Sequence, residues 1–174
     1  FNDDRIVIID IDEKSLREQG RWPWNRKLMA HLVDQCFDYY QIKILGFDMV
    51  FAEADESSGL KNLELIKEQY LKDNQQFRQT LDKLQYELDY DQRFADHLKN
   101  RPVVLGFYFN QSKKGQSVGE IGKPLFDQGY FQGLDIGFIQ AQSFGANLSL
   151  LQRNAQGSGH FNFLPDLDGT LRRI

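Results

Sequence analysis

IKILGFDMVF, residues 42–51, is an apolar run without strict polar–apolar alternation, which is typical of a β-strand covered on both faces of a sheet. A second run of this type, RIVIIDID, spans residues 5–12. Between the two runs, residues 28–40 carry apolar side chains at spacings of three and four behind Asn25, a residue type that commonly begins helices. Strand, helix and strand in this order predict a βαβ unit with two neighbouring parallel strands.

The composition becomes charged and helical over residues 60–98, with a heptad-like apolar stripe that Lys67, Asn74 and Asp91 interrupt. One continuous helix of this length would extend about 60 Å at 1.5 Å per residue, so we expect a break near Asp73 and Asn74. Two interpretations stay open. The segment is a helical crossover packed on its own sheet, or a projecting helix pair that dimerises.

Further strands are predicted at residues 102–109 and 134–139, with a short helix at residues 141–152. The end of the chain, GHFNFLPDLDGTLRRI (residues 159–174), predicts two strands joined by a turn, because Asp-Gly is a strong hairpin signal. We therefore predict one α/β domain over residues 1–174. It has a mainly parallel sheet flanked by helices, a long helical insert and a C-terminal antiparallel hairpin.

Composition narrows the classes of function. The 174 residues are enough for one domain with a substantial core, and a net charge of −4 disfavours a general nucleic-acid-binding surface. The longest clean apolar run, residues 103–109, is far shorter than the roughly 20 residues of a membrane-spanning helix. A single cysteine, Cys36, excludes an internal disulfide.

The run DLDGT, residues 166–170, matches the start of haloacid-dehalogenase-type phosphatases, in which the first Asp attacks phosphorus. Here a proline precedes that Asp, and only four residues follow the run, whereas the remaining machinery of such enzymes lies downstream. Asp10 and Asp12 end an apolar run, which is the better position, but no Gly-Thr follows them. A magnesium-dependent phosphohydrolase using Asp10 and Asp12 remains one alternative function.

Five carboxylates lie at or beyond the carboxyl ends of the first two predicted strands, the edge where open α/β sheets bind ligands. They are Asp10, Asp12, Asp48, Glu53 and Asp55. Three explanations are open: a divalent cation held by oxygen ligands, a cationic or polyhydroxyl ligand, or structural pairing with arginines and backbone caps. The cation candidates are Asp10, Asp12 and Asp48, and the arginines are Arg21, Arg26 and Arg172.

The sequence Trp22-Pro23-Trp24 fits either a stacking wall for a ligand or a packed lid over the sheet edge. No catalytic set can be assembled from local signatures, and no cofactor other than a divalent cation is expected. The candidate ligand-binding residues are Asp10, Asp12, Trp22, Trp24, Arg26, Asp48, Glu53, Asp55 and Arg172.

Three stretches in order resemble the type-two CHASE domain: IVIIDIDEKSLREQGRWPW (residues 6–24), ILGFDMVFAEAD (residues 44–55), and the turn PDLDG followed by Arg-Arg (residues 165–173). The resemblance implies a non-catalytic sensory domain in the periplasmic or extracellular part of a bacterial inner-membrane receptor. It implies membrane segments outside this sequence, a domain that continues past Ile174, and a cytoplasmic output such as a nucleotide cyclase or histidine kinase.

The resemblance also implies a small-molecule or protein stimulus whose identity stays open, a homodimer in the full receptor, and no nucleic-acid partner. In this interpretation the DLDGT run is a hairpin turn, and its match to phosphatases is coincidental. A third functional hypothesis is a structural domain that dimerises or binds a partner protein without sensing any ligand.

Overall fold

The computed structural model describes residues 5–111, 115–127, 129–134 and 140–162. Within these ranges the first half of the chain forms α1 (Glu13–Gln19), α2 (Arg26–Asp34), a π-helix (Gln35–Tyr39) and β1 (Leu45–Phe47). The helical insert forms α3 (Leu60–Gln69), α4 (Gln75–Leu88) and α5 (Tyr90–Leu98). They are followed by β2 (Val103–Asn110), β3 (Ser143–Gly145), α6 (Ser149–Asn154) and β4 (Gly157–His160).

The sheet is built around β2. Its first half lies between β1 and β4 and is parallel to both, with Leu105 opposite Phe47 on one side and Ser158 on the other. Its second half pairs antiparallel with β3, where Tyr108 lies opposite Gly145. The predicted α/β class with a mainly parallel sheet is confirmed.

Three helices cover one face of the parallel strands, and each precedes its strand: α2 before β1, α5 before β2 and α6 before β4. Alternate residues of the strands, such as Phe47, Val103 and Leu105, point into the same buried cluster as Met29, Phe94 and Leu151 from the helices. Phe47, Phe51 and Phe94 meet edge to face, with centroid distances of 5.2–6.1 Å. Helix α5 is therefore the centre of the helical layer.

The predicted break in the insert is confirmed, because α3 ends at Gln69 and Asn74 caps α4 by accepting the Phe77 N–H at 2.9 Å. A second break, which the sequence did not predict, lies at Asp89, whose side chain caps α5 through the Gln92 N–H.

The two interpretations of the insert each describe a part of it. Helix α5 is a crossover packed on the sheet, with Phe94, Ala95 and Leu98 fully buried. Helices α3 and α4 pack on each other and contribute one buried residue, Leu81. They form a helical hairpin, the α3–α4 hairpin, that lies outside the main core.

The predicted strand at residues 5–12 is wrong. These residues form no strand, and Ile6, Val7, Ile8 and Ile9 are 73%, 80%, 87% and 54% exposed. The apolar pattern indicates only that a segment is compatible with a pleated, half-buried strand. A strand forms only where a neighbouring strand is available for pairing. The parallel pairing predicted between residues 5–12 and 42–51 is instead made by β1 with β2 and by β2 with β4.

The helix predicted at residues 141–152 is wrong in its first half, which forms β3 and an isolated bridge at Asn147 before α6 begins at Ser149. Gly145 lies against the Tyr108 ring so closely that a Cβ there would clash with it, and this cross-strand contact outweighs local helical preference. The strand β4 begins the predicted terminal hairpin. The turn of that hairpin at residues 165–169, and residues 135–139 of a further predicted strand, lie outside the described residues.

Candidate functional site

Three of the predicted site residues meet at the carboxyl end of β1. Arg26, the first residue of α2, donates its backbone N–H to Asp55 Oδ2 at 2.6 Å and its Nη2 to the Glu53 carbonyl at 3.1 Å. Its guanidinium lies 4.5 Å from the centroid of the Phe51 ring. Arg26 is buried, so the structure brings together Arg26, Glu53 and Asp55 around one desolvated cation.

A fourth member of this cluster, Asp91 of α5, was missed by the sequence prediction. Asp91 Oδ1 lies 3.5 Å from Arg26 Nε, and Asp91 Oδ2 accepts the Asp55 N–H at 2.8 Å. Neither Arg26 Nε nor Asp91 Oδ1 makes a hydrogen bond. In the sequence, Asp91 was noted as an interruption of the apolar stripe, but it was not connected with Arg26. We call Arg26, Glu53, Asp55 and Asp91 the Arg26 cluster.

Burial dominates the titration of this cluster. It lowers the pKa of Arg26, although the charges of Asp91 and Asp55 act in the opposite direction. It also raises the pKa of Asp91, although the Asp55 N–H and Arg26 stabilise the carboxylate. The two charges compensate each other inside the domain, and removing either one leaves a buried charge without its partner.

A second charged cluster lies at the other end of α2 and α5. Asp34 Oδ1 is 2.6 Å from both Arg101 Nη1 and His97 Nδ1, and Arg101 Nη2 is 2.9 Å from each carboxylate oxygen of Asp38. The Arg101 guanidinium also faces the Phe37 ring at 5.7 Å. We call Asp34, Asp38, His97 and Arg101 the Arg101 cluster. It holds the π-helix against the segment that enters β2.

The Arg101 cluster borders an open cleft of about 390 Å³, lined by Asp34, Asp38, Asp96, His97, Lys99 and Arg101. Desolvation opposes ionisation of Asp34, but hydrogen bonds from Arg101 and His97 outweigh it and leave the pKa of Asp34 below its ordinary value. None of the cleft residues was predicted. Their sequence spacing of more than 60 residues carries no local signal of contact.

The two clusters together fix one pair of helices. Arg26 and Asp91 lie in the first turns of α2 and α5, and Asp34 and His97 lie in their last turns. The two helices therefore run parallel, with a charged contact at each end and the apolar core between them. Asn147 adds rigidity beside the Arg26 cluster.

Asn147 is fully buried and joins the segment after β1 to the strand β2. Its Oδ1 accepts the Phe51 N–H at 2.8 Å, and its Nδ2 donates to the Gly106 carbonyl at 2.9 Å. The Arg26 guanidinium lies over the ring of Phe51. By bonding the Phe51 backbone, Asn147 therefore helps to fix the ring against which the Arg26 cluster packs.

The structure does not bring the predicted cation ligands together. Asp12 caps α1, where its Oδ1 accepts the Ser15 N–H at 2.8 Å and the Ser15 hydroxyl at 2.7 Å, and these bonds lower its pKa. Asp10 and Asp48 are exposed. Among the described residues no group of three or more His, Cys, Asp or Glu side chains could hold a metal ion. The expected convergence failed because residues 5–12 are not a neighbour of β1.

The two tryptophans have different surroundings. Trp24 packs against the core and donates its Nε1–H to the Gly20 carbonyl at 2.9 Å, as a lid would. Trp22 is half exposed and meets Trp24 edge to face at 5.9 Å, so one of its surfaces is open to solvent. Arg172 lies outside the described residues.

Comparison with known proteins gives one family. The model of the CHASE2 domain matches residues 1–174. No match was found among curated proteins or among solved structures. In the ranges that the structure describes, no helix combines the length and apolar character needed to cross a bilayer. With a family match over its full length, the chain belongs to the CHASE2 domain family, a family of extracytoplasmic sensory domains.

Proposed function

We propose that this chain is the signal-input domain of a membrane-bound bacterial signalling protein, that it lies on the periplasmic side, and that it controls a cytoplasmic output domain such as a nucleotide cyclase or histidine kinase. The observation that carries the proposal is the CHASE2 match over residues 1–174. The family is sensory rather than catalytic, and accordingly no reaction is assigned to the chain itself.

The α2–α5 pair is suited to transmit a signal. A sensor needs two arrangements that a stimulus binds with different affinity. Separating the helices would leave the buried Arg26 charge without Asp91 at one end and would break the part-buried contacts of Asp34 with His97 and Arg101 at the other. A stimulus that replaces one contact would therefore favour a discrete shift of α5 against α2.

The cleft beside the Arg101 cluster is the place where such a stimulus would act. Its lining is polar and carries charges of both signs, from Asp34, Asp38 and Asp96 and from Lys99 and Arg101, which suits a small polar ligand with charged groups rather than an apolar one. A ligand anion that competes for Arg101, or a cation that competes for Asp34 and Asp38, would loosen the contact between α2 and the start of β2.

Location is tested with the full-length protein in bacterial cells. Spheroplasts with an intact inner membrane are treated with external protease, and antibodies against this chain and against a cytoplasmic marker follow the digestion. Loss of this chain while the marker survives is expected. Protection of both until the membrane is lysed would overturn the periplasmic location.

Control of the output is tested in membranes that contain the full-length protein. Cyclase and autokinase activities are measured for the wild type, for Arg101→Gln and for Arg153→Gln. Arg153 forms a comparable pair with Glu120, but on an exposed surface away from the cleft. We expect Arg101→Gln to change the basal output at least about twofold through loss of a part-buried charge contact, with Arg153→Gln unchanged. Equal outputs in all three proteins would contradict the proposed route.

A further inference from the structure

The π-helix departs from the structure that the sequence of its segment favours. The apolar spacing of residues 28–40 ends at Tyr40, which follows Val33 by seven residues, or about two α-helical turns. In a continuous α-helix Tyr40 would therefore lie on the same buried face as Val33. In the structure Val33 is fully buried, whereas Tyr40 is 70% exposed.

One turn of π-helix causes this difference. The Tyr40 N–H donates to the Gln35 carbonyl at 3.0 Å, five residues back, where an α-helix would bond four residues back. The additional residue in the turn rotates each later side chain by about 100° relative to a continuous α-helix. Tyr40 thus points into solvent beside Tyr39, whose ring it meets edge to face at 4.9 Å. The turn exposes a ring that the apolar pattern would bury, so other contacts must stabilise it.

Arg101 makes contacts that depend on the π-helix. Arg26 and Asp34 both contact α5 and are eight residues apart, so the side of α2 toward α5 spans about 80° between them. In an α-helix Asp38 would lie about 40° beyond Asp34, outside this side. The wider π turn leaves Asp38 short of a full turn from Asp34, and there both of its carboxylate oxygens accept Arg101 Nη2 at 2.9 Å. The contact between Asp38 and Arg101 therefore favours the π-helix over an α-helix.

The connection from the π-helix to β1 allows the helix to change its length. Gln41 has a φ of 52°, in the left-handed region that a residue with a side chain seldom adopts without support from its surroundings. The Ile42 N–H donates to the Cys36 carbonyl at 3.1 Å and closes the helix end. Residues 41–44 form no helix or strand, and Ile44 is 62% exposed. This short segment can absorb a shift of one residue without moving β1.

We propose that residues 35–40 have two arrangements and that Arg101 selects between them. While Arg101 holds Asp38, the segment is a π-helix and Tyr40 is exposed. When a ligand in the adjacent cleft withdraws Arg101, the segment continues α2 as an α-helix. Asp38 then turns toward solvent, and Tyr40 moves onto the face of Val33. The ligand belongs to the proposed function, on which this role in sensing rests, whereas the two arrangements are a property of the chain itself.

The two arrangements are discrete, because a backbone N–H in this segment bonds either four or five residues back and each choice satisfies it. The change also alters the surface of the domain. In the π-helix, Tyr39 and Tyr40 form one exposed aromatic pair, and the α-helix divides them. Occupancy of the cleft is thereby coupled to a surface that neighbouring parts of a receptor can contact.

Nitration of tyrosine distinguishes the arrangements in the purified chain. Tetranitromethane nitrates accessible phenol rings, and peptide mass spectrometry gives the rate at each residue. Tyr39 is the internal reference, since in an α-helix it lies about 120° from Val33 and stays exposed. The ratio of the Tyr40 rate to the Tyr39 rate, the nitration ratio, should be near one in the wild type, where the rings are 70% and 73% exposed. In Arg101→Gln it should fall at least about threefold, which corresponds to an α-helix populated to about two thirds.

Asp38→Asn is the more specific variant, because it removes the charge that favours the π-helix and keeps the contact of Asp34 with Arg101 at 2.6 Å. It should also lower the nitration ratio, and it decides the outcome if Arg101→Gln does not fold. Circular dichroism checks the fold of each variant. Arg153→Gln, on an exposed surface, is the control and should leave the ratio unchanged.

An unchanged nitration ratio in folded Arg101→Gln or in Asp38→Asn would overturn the proposal, and so would an equal fall in Arg153→Gln. Faster nitration of Tyr40 would also overturn it, because the helix end would then unfold rather than change its hydrogen bonding. A fall in the ratio with unchanged output of the full-length protein would support the two arrangements and contradict the proposed signalling route.

Discussion

Arg26 of α2 and Asp91 of α5 face each other in a buried position, with Arg26 Nε 3.5 Å from Asp91 Oδ1 and no hydrogen bond made by either atom. The pair connects the start of α2 to the start of the last helix of the insert, and so supports the interpretation in which this part of the insert packs on its own sheet. Because the cost of desolvating two charges is offset by their mutual attraction, the pair is sensitive to the loss of one member.

Substituting Arg26→Met is expected to lower the free energy of unfolding by about 3 kcal/mol, because Asp91 then keeps a buried charge without its cation. Urea unfolding at neutral pH measures the loss. The exposed neighbour substitution Lys27→Met is the control and should change stability by less than about 0.5 kcal/mol. The double variant Arg26→Met/Asp91→Leu should recover part of the loss. If the loss in the double variant equals the sum of the losses in Arg26→Met and Asp91→Leu alone, the coupling between the two residues is contradicted.

Asn147→Ala is expected to destabilise the domain by about 2–4 kcal/mol, since it leaves the Phe51 N–H and the Gly106 carbonyl without their buried partner. Asn154→Ala is a suitable comparison, because Asn154 makes one bond, to the Leu150 carbonyl, in a half-buried position. Chemical unfolding of both variants should show the larger loss for Asn147. Similar losses would mean that the Asn147 bridge between Phe51 and β2 adds nothing beyond an ordinary side-chain hydrogen bond.

The contribution of Asp34 to stability should depend on pH with a defined sign. Its pKa in the folded domain lies below its ordinary value of 3.8, so its contribution is complete above about pH 5 and is lost as the pH falls through 3.8 and below. Asp34→Asn should therefore reduce stability at pH 7 and reduce it by less at pH 3, where part of the ionic contribution has already been lost. Thermal unfolding of the variant and of an Asp73→Asn control at both values measures it. A penalty that is the same at pH 3 and pH 7 would argue against the ionic contact.

Binding of a divalent cation should not depend on Asp10. Asp10, Asp12 and Asp48 are not brought together in the structure, so any rise in melting temperature between EDTA and millimolar Mg²⁺ or Ca²⁺ should be the same in the wild type and in Asp10→Asn. A cation at about 100 times its dissociation constant would add roughly 2.7 kcal/mol, which is readily measured. A shift in the wild type that Asp10→Asn abolishes would restore the acidic cluster expected from the sequence.

Prediction from sequence succeeded where the signal is local. Asn25 was recognised as a helix start because a cap bonds a backbone group three residues away, and this cap is confirmed. The expected break near Asp73 and Asn74 is also confirmed, although the cap that Asn74 provides there was not predicted. The strands β1 and β2 were found from their apolar runs. Contacts between distant residues had no such signal: Asn147 and Phe51 are 96 residues apart, and Asp91 was visible only as a polar residue in an apolar stripe.

The apolar segment at residues 6–9 shows that a strong local signal can also mislead. Its β-branched residues carry the strongest strand signal in the chain, yet they are exposed, because propensity does not specify which edge a strand will join. The same error affected the predicted site. Arg26 and Asp55 do meet beyond β1, with Glu53 taking part only through its backbone carbonyl, whereas Asp10 was grouped with them through a strand that does not form.

The bond between the Asp55 N–H and Asp91 Oδ2 has a consequence for how the domain can vary. It closes residues 56–90 into a loop whose two ends meet at one point, and the α3–α4 hairpin inside that loop contributes little to the core. Chain that leaves and returns at the same place can be shortened, lengthened or exchanged with small entropic cost and without rearranging the sheet. The hairpin is thus an interchangeable module, and the Asp55–Asp91 junction is the natural point at which to graft another sequence.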